Sequence, residues 1–447
     1  MPCSAWAEQG LRLGWVAPAG KAGASSGPAD YTGAVSQGLL CPELNAKKSI
    51  IYTLCVARLA SVWNLSEVWG ILVFMEMTNR SRIWASTMEG HWASHGVVAH
   101  EDTRAQIHVD QPQVREIRER IEEETLSPGA CLAEGAGTRA RKEEPDEFRT
   151  CFERDRDRIV HSPAFRRLAG KTQVVVYPRD HQRTRLTHAL EVAQVATAIA
   201  RGLGANPTLA DAIALGHDCG HGPGGHASED AFAPYIPGGY HHGPWGADVA
   251  LRSLNLCSQT LDGIRNHSWS QPAPSTIEGE IVSWADRIAY CAHDLEDAMH
   301  AGIVSIGDLP ADVVRVAGRK RSQQLRTFIT AVITSTVNRS VVSMDPETAD
   351  ALAQLRQFNY ERIYMRPESV AQADGVIEVL RGLVDYFIAH PREIPHEQAV
   401  PDDVADPDTW RAVAYVAGMT DRFAFEQAES LLGYDLSRIP AGLGRGI

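Results

Sequence analysis

LADAIALGHDCGHGPGGHASE, residues 209–229, changes character halfway along. Leu209, Ala212, Ile213 and Leu215 fall at helical spacing, so the first half reads as an apolar helix. It ends on His217-Asp218, an imidazole beside a carboxylate. A turn rich in glycine and proline follows and carries His221, His226 and Glu229. Three histidines and two acids within thirteen residues match an ordinary solvent-facing loop poorly. The glycines are expected to let the backbone approach a ligand closely.

Two more helices belong with this stretch. Upstream, RTRLTHALEVAQVATAIA (183–200) sets His188 near a helix start, with Leu186, Leu190, Ala193, Ala196, Ile199 and Leu203 as the expected apolar stripe. Downstream, IVSWADRIAYCAHDLEDA (281–298) holds Asp286, and its stripe is Ile281, Trp284, Ile288, Ala292, Leu295 and Met299. Tyr290 and Asp294, at i+4 and i+8, share the face of Asp286. A divalent cation takes a few nitrogen and oxygen ligands from rigid elements, with positions left open for water and substrate. Three helices delivering His188, His217-Asp218 and Asp286 would meet that need, although each residue alone is ordinary on a helix. Helical periodicity runs over 148–203 and 208–300 and recurs at 323–337, 347–364, 367–389 and 408–432, with Gly and Pro between. Only Thr172–Tyr177 alternates like a strand, so the body is expected to be all-α.

Residues 149–185 hold ten Arg and Lys against four acids, a local charge of +6 in a chain of −13. In ERDRDRI the alternation is expected to pair within its own helix at i,i+3 and i,i+4. Arg166, Arg167, Lys171 and Arg185 have no such acid nearby in sequence. This patch suits a small polyanion better than nucleic acid, because aromatic side chains for base stacking are few. The net charge also argues against a nucleic-acid coat. Ordinary composition, 44% hydrophobic and 22% charged, excludes a mainly disordered or membrane-embedded chain. Eight cysteines without a CxxC pair read as reduced thiols in a cytoplasmic protein. The most apolar run, Ser49 to Met75, is interrupted by Arg58, Asn64 and Glu67, so neither a spanning helix nor a secretory leader is expected. The first hundred residues hold six of ten tryptophans but only 13 of 99 charged residues. They read equally as a small accessory domain or as sequence upstream of the true start, Met88 being one candidate. The expected segments are an uncertain extension (1–112), a helix and linker (113–147), the histidine-rich core (148–300) and a helical continuation of the same domain (301–447).

Five stretches, RIVHSPAFRRLAGKTQV, RTRLTHALEVAQVATAIA, ALGHDCGHGPGGHASED, ADRIAYCAHDLEDA and FNYERIYMRP, together resemble the bacterial deoxyguanosine triphosphate triphosphohydrolase family, within the HD-domain metal-dependent phosphohydrolases. The resemblance runs in consistent order from 148 to 390. It implies an all-α HD fold with His188, His217, Asp218 and Asp286 as ligands of Mg, Mn or another transition metal. His226 and Glu229 match the family's catalytic His and acid. His221 stands where some members have a further active-site His. His242 falls where the family has His followed by Asn, and Gly243 departs from that pattern. Tyr290 and Asp294 match residues that contact deoxyribose, Gln173 one near the sugar or base, and Arg185 a phosphate-binding Arg. Arg166 and Lys171 are further phosphate candidates. Arg287 stands where many bacterial members carry a second Asp, and would add a phosphate contact. The implied reaction cleaves a dNTP, dGTP included, to deoxynucleoside and triphosphate. A homo-oligomer away from membranes is implied, with room for a second dNTP or single-stranded DNA as effector. Two other readings stay open: an HD phosphohydrolase of nucleoside monophosphates, cyclic nucleotides or guanosine polyphosphates, and a silent HD protein that binds nucleotides or nucleic acid. The FRRL and KTQV elements with Tyr290 and Asp294 argue against the former, and the intact His and Asp set against the latter.

Overall fold

Asn206 and Pro207 start the helix from which the histidine-rich turn hangs. The Asn206 side chain accepts from the Thr208 and Leu209 amides, and proline at the first helical position presets the backbone. The helix Pro207–Gly216 is buried on every side, from Leu209 and Ala210 to Ile213 and Ala214. Ser258–Asn266 and three longer helices pack on it. Cys151–His161 begins with a Thr150/Glu153 capping box, Arg185–Leu203 closes on Gly204 in the left-handed region, and Ile277–His300 begins at a Thr276 cap. The computed structural model describes residues 79–87, 90–94, 96–174, 182–395, 400–402 and 404–439.

The body is all-α, and its packing shifts several expectations. On the Arg185–Leu203 helix the buried face is His188, Ala189, Val192, Val195, Ala196, Ile199 and Ala200, whereas Leu190 is 52% exposed. The rest of the expected stripe holds, with Ala193, Ala196 and Ile199 buried and Leu186 and Leu203 packed on the core, and the buried face is wider because 207–216, 277–300 and Arg321–Arg339 all pack on this helix. Apart from the adjacent Arg156 and Asp157, the Cys151–His161 helix pairs outward. Glu153 bonds Arg118, Asp155 bonds Arg139, and Arg154 and Arg158 both reach Glu143. The 113–147 segment wraps this helix and supplies partners closer than those one turn away. Helical periodicity also overstated 217–257, which folds as turns and short elements such as His226–Phe232 and His242–Trp245. The 408–432 pattern is two helices, Pro407–Ala417 and Asp421–Leu432, the latter capped by Thr420.

The last three long helices, Pro367–Ala389, Pro407–Ala417 and Asp421–Leu432, form a second core with Phe232, Tyr240 and Trp245. Asp421 joins it to the histidine-rich turn: its carboxylate accepts from the Gly224 amide at 2.8 Å and from the Thr172 amide at 2.9 Å. The chain divides into two compact units, Met1–His108 and Val109–Ile447. In the first, the described residues form a helix, Asn79–Thr87, and a hairpin pairing His91–Ala93 with Gly96–Val98. The readings of 1–78 and Met88 lie outside the described residues, as does most of the strand expected at Thr172–Tyr177; Thr172 itself bridges Thr184. No helix among the described residues is long and apolar enough to cross a membrane.

Candidate functional site

Three helices bring His188, His217, Asp218 and Asp286 together. His188 Nε2 lies 3.0 Å from Asp286 Oδ1, and His217 Nε2 lies 3.4 Å from Asp218 Oδ1 and 3.7 Å from Asp286 Oδ1. These separations approximate the edges of a coordination polyhedron, about 3.0–3.4 Å for bonds of about 2.1 Å. His217 Nδ1–H donates to the Ala214 carbonyl at 2.6 Å, which leaves the Nε2 lone pair facing the two carboxylates. That nitrogen is buried and has no hydrogen-bond partner, as is His188 Nδ1. Burial pulls the His217 imidazole down toward the neutral form a metal requires. Burial pushes Asp218 up, but the Arg185, His217 and His221 charges reverse this and hold it well below the usual carboxylate range. The donors suit a divalent cation: His188, His217 and Asp286 form one close group, and His217 is shared with a second, His217, Asp218 and His267.

A second histidine cluster adjoins the first. His221 Nε2 is 3.1 Å from Asp218 Oδ1, and its ring stacks on His242 at 3.8 Å. Glu229 joins two histidines, with one oxygen 3.3 Å from His226 Nδ1 and the other 2.6 Å from His242 Nδ1. Burial alone would raise Glu229, but the His226 and His242 bonds hold it far below its ordinary value, so it stays ionised. The His226 side chain is 72% exposed with its Nδ1 on Glu229, the accessibility a proton donor needs. His267, which the sequence did not single out, closes the cluster. Its Nδ1–H donates to the Ile264 carbonyl at 2.8 Å, so its Nε2, 3.0 Å from His242 Nε2, can only accept. Burial pulls His267 down to about 3, with the His217 and His242 charges adding to it. A lone histidine at the end of the Ser258–Asn266 helix carries no local signal of this role.

Beyond the donor set, the structure separates the expected substrate residues. Arg185 does have an acid, 33 positions away: its Nη1 bonds Asp218 at 2.8 Å, while its Nε and Nη2 are buried without partners. Lys171 is buried, and its ammonium donates to the His221 and Ala417 carbonyls. Burial, with the Arg167 charge, pulls its amine down to about 7. Arg166 is exposed on the short Pro163–Arg167 helix. Gln173 Oε1 is buried and unpartnered among the described residues. Arg287 lies over the Trp269 ring at 3.4 Å. Tyr290 accepts from Arg356 Nε at 3.0 Å, and Asp294 accepts from Arg183 Nη2 at 2.8 Å and from the Tyr364 hydroxyl. Arg183, Arg356 and Tyr364 are therefore part of this wall and were not read from sequence, although Tyr364 sits inside FNYERIYMRP.

Several glycines of this region are in close contact with neighbouring protein atoms. A side chain on Gly220 would run into the His242 carbonyl and the Gly246 amide, and one on Gly225 would meet Arg185 Nη2 at 2.7 Å. Gly243, the departure from the His-Asn pattern, lies where a Cβ would come within 2.7 Å of the Arg265 carbonyl.

Residues 185–291 match the HD domain family, and residues 342–430 match the phosphohydrolase-associated domain. The chain is similar to a deoxyguanosinetriphosphate triphosphohydrolase-like protein of Caldanaerobacter subterraneus subsp. tengcongensis, 42% identical over 320 residues that cover 70% of this chain and 94% of that one. A protein of the same name from Clostridium perfringens strain 13 is 38% identical over 333 residues, covering 70% and 95%.

Proposed function

The chain belongs to the deoxyguanosinetriphosphate triphosphohydrolase-like family of HD-type phosphohydrolases, and on that footing we propose that it hydrolyses deoxynucleoside triphosphates, dGTP among them, to deoxynucleoside and inorganic triphosphate. The observation that carries this reading is the gathering of His188, His217 and Asp286, with Asp218 beside His217, one ring away from the His226–Glu229 pair. These four residues would hold a divalent metal ion, Mg, Mn or another transition metal. When bound, it supplies an activated water and neutralises charge on the phosphoryl oxygens.

The chain's own residues account for the other half of the reaction. Water adds to the α-phosphorus and the bond from that phosphorus to the 5′-oxygen breaks. That oxygen is a poor leaving group unless protonated, and His226 Nε2–H is the donor. Glu229 accepts from His226 Nδ1 and stabilises the imidazolium before transfer. His221, neutral because burial and the Arg185 and His242 charges hold it well below its usual range, separates the metal-side carboxylate from the proton-donating pair. His242 orients Glu229. The Arg183–Asp294–Tyr364 and Arg356–Tyr290 pairs would form the wall for the deoxyribose, and Tyr290 is the side chain that would exclude a 2′-hydroxyl. Gln173, with its unpartnered buried oxygen, faces the nucleoside. Arg185, Arg287, Arg166 and Lys171 stand around the path of the phosphates, with Arg185 nearest the metal side through Asp218. The working form is a cytoplasmic homo-oligomer, on which a second dNTP or single-stranded DNA acts as effector.

Product analysis tests the reading. Purified protein with each dNTP, singly and mixed, and Mg²⁺ or Mn²⁺ should release inorganic triphosphate with the matching deoxynucleoside. Orthophosphate, or turnover confined to monophosphates or cyclic nucleotides, would point to another HD phosphohydrolase, and binding without turnover to a silent one.

A further inference from the structure

Trp269 stands on the segment that joins Ser258–Asn266 to Ile277–His300, two residues after His267. Its side chain is 49% exposed, yet three contacts fix it. The Nε1–H donates to the Ser283 carbonyl at 3.1 Å. The ring meets Trp284 in a T-shaped pair with centroids 4.9 Å apart. Over its face lies the Arg287 guanidinium, 3.4 Å from the ring centre. Ser283, Trp284 and Arg287 all belong to the helix that carries Asp286, so Trp269 is fastened at three points beside a metal-side carboxylate.

The stacking decides what Arg287 has left to offer. A guanidinium carries flat faces that stack on aromatic rings and N–H donors that lie in its plane. An ion pair would occupy those donors and neutralise the charge. An aromatic face holds the cation and leaves both available. Neighbouring arginines are held the other way: Arg183 binds Glu191, Asp294 and Asp297, and Arg185 binds Asp218. No carboxylate pairs with Arg287 among the described residues, and its Nε is buried without a hydrogen-bond partner. Arg287 is thus a held cation with unsatisfied donors, one residue beyond Asp286 and one turn before Tyr290.

We propose that Trp269 is a positioning residue: its ring holds the Arg287 guanidinium by stacking, so that the free donors meet an oxyanion of the triphosphate chain. The assignment rests on the phosphate path proposed above and adds the side chain that keeps Arg287 in place. Without the ring, a long side chain must lose its rotamer freedom on meeting the anion, and binding weakens by that cost.

Equilibrium dialysis of the full chain with inorganic triphosphate and Mg²⁺ tests this without relying on turnover. Arg287→Gln should weaken binding about tenfold or more, as expected for a lost charge-assisted contact. Trp269→Leu keeps apolar bulk against Trp284 and removes the aromatic face; it should weaken binding about threefold or more. Trp269→Phe also loses the bond to Ser283 but keeps a ring, and should stay within about twofold of the wild type. The double variant, Trp269→Leu with Arg287→Gln, should bind as Arg287→Gln alone does, because a residue that acts through Arg287 then has nothing to position. A merely structural role would multiply the two losses instead. Multiplied losses, wild-type affinity in Trp269→Leu, a Trp269→Phe defect as large as that of Trp269→Leu, or no triphosphate binding by the wild type would overturn the proposal. Turnover of dNTPs is read beside it. A wild type that shows this coupling yet turns over no dNTP would sink the proposed reaction and leave the positioning role standing.

Discussion

His217 and His226 stand nine positions apart and divide the chemistry between them. His217 is buried with its Nε2 toward two carboxylates, whereas His226 is exposed with its Nδ1 on Glu229. His217→Ala should therefore lose bound metal and all turnover, since one ligand of a small set is gone. His226→Ala should keep its metal and lose turnover by roughly 10²–10⁴-fold, the usual contribution of a general acid. Metal content measured beside rate separates the two; loss of metal from His226→Ala would make it a ligand. At this scale the sequence was informative where chemistry is local. An adjacent His-Asp pair and histidines around a glycine turn are visible in a single stretch. His267, Arg183 and Arg356 were not visible, because each acquires its role only from partners brought near by folding.

At the scale of elements, two junctions carry the arrangement. The first is the packing of Gly220 on the 242–246 segment, where a methyl group has no space. Gly220→Ala should cost about 3 kcal/mol or more, as overpacking does when backbone must shift. Thermal unfolding of that variant is the check, and an unchanged midpoint would mean the turn can move away. The second is the Cys151–His161 helix, whose arginines converge on Glu143. The Arg158 bonds lower the Glu143 carboxyl to about 2. Its pKa is depressed in the folded state, so the unfolded chain binds more protons as pH falls below the ordinary glutamate value. The stability it contributes is present above about pH 4.5 and is lost between there and about pH 2. Glu143→Gln should unfold more readily at neutral pH and show a shallower decline in acid; the same acid limb as the wild type would contradict this. The sequence suggested internal pairing here because i,i+4 spacing is all that a single helix displays, and the 113–147 partners are a tertiary fact.

For the whole molecule, the all-α architecture was legible because long helices keep a 3.6-residue rhythm, as in Ile277–His300, where Ile281, Ile288, Ala292 and Leu295 are buried as expected. The rhythm misplaced only Leu190 on Arg185–Leu203, which is wrapped by neighbours, and failed for 217–257, where close packing replaces periodicity. The unit from Val109 to Ile447 contains both cores and every site residue. A chain beginning at residue 109 should therefore remain soluble and keep its turnover rate. Insolubility or a lost oligomeric state would show that residues 1–108 are needed by the body. The central claim is that water attacks the α-phosphorus while His226 protonates the departing 5′-oxygen. Turnover of dGTP in water enriched in heavy oxygen, with mass analysis of both products, tests it most directly. The account predicts one heavy oxygen in the released triphosphate and none in the deoxyguanosine; label in the nucleoside, or release of orthophosphate in place of triphosphate, would contradict it.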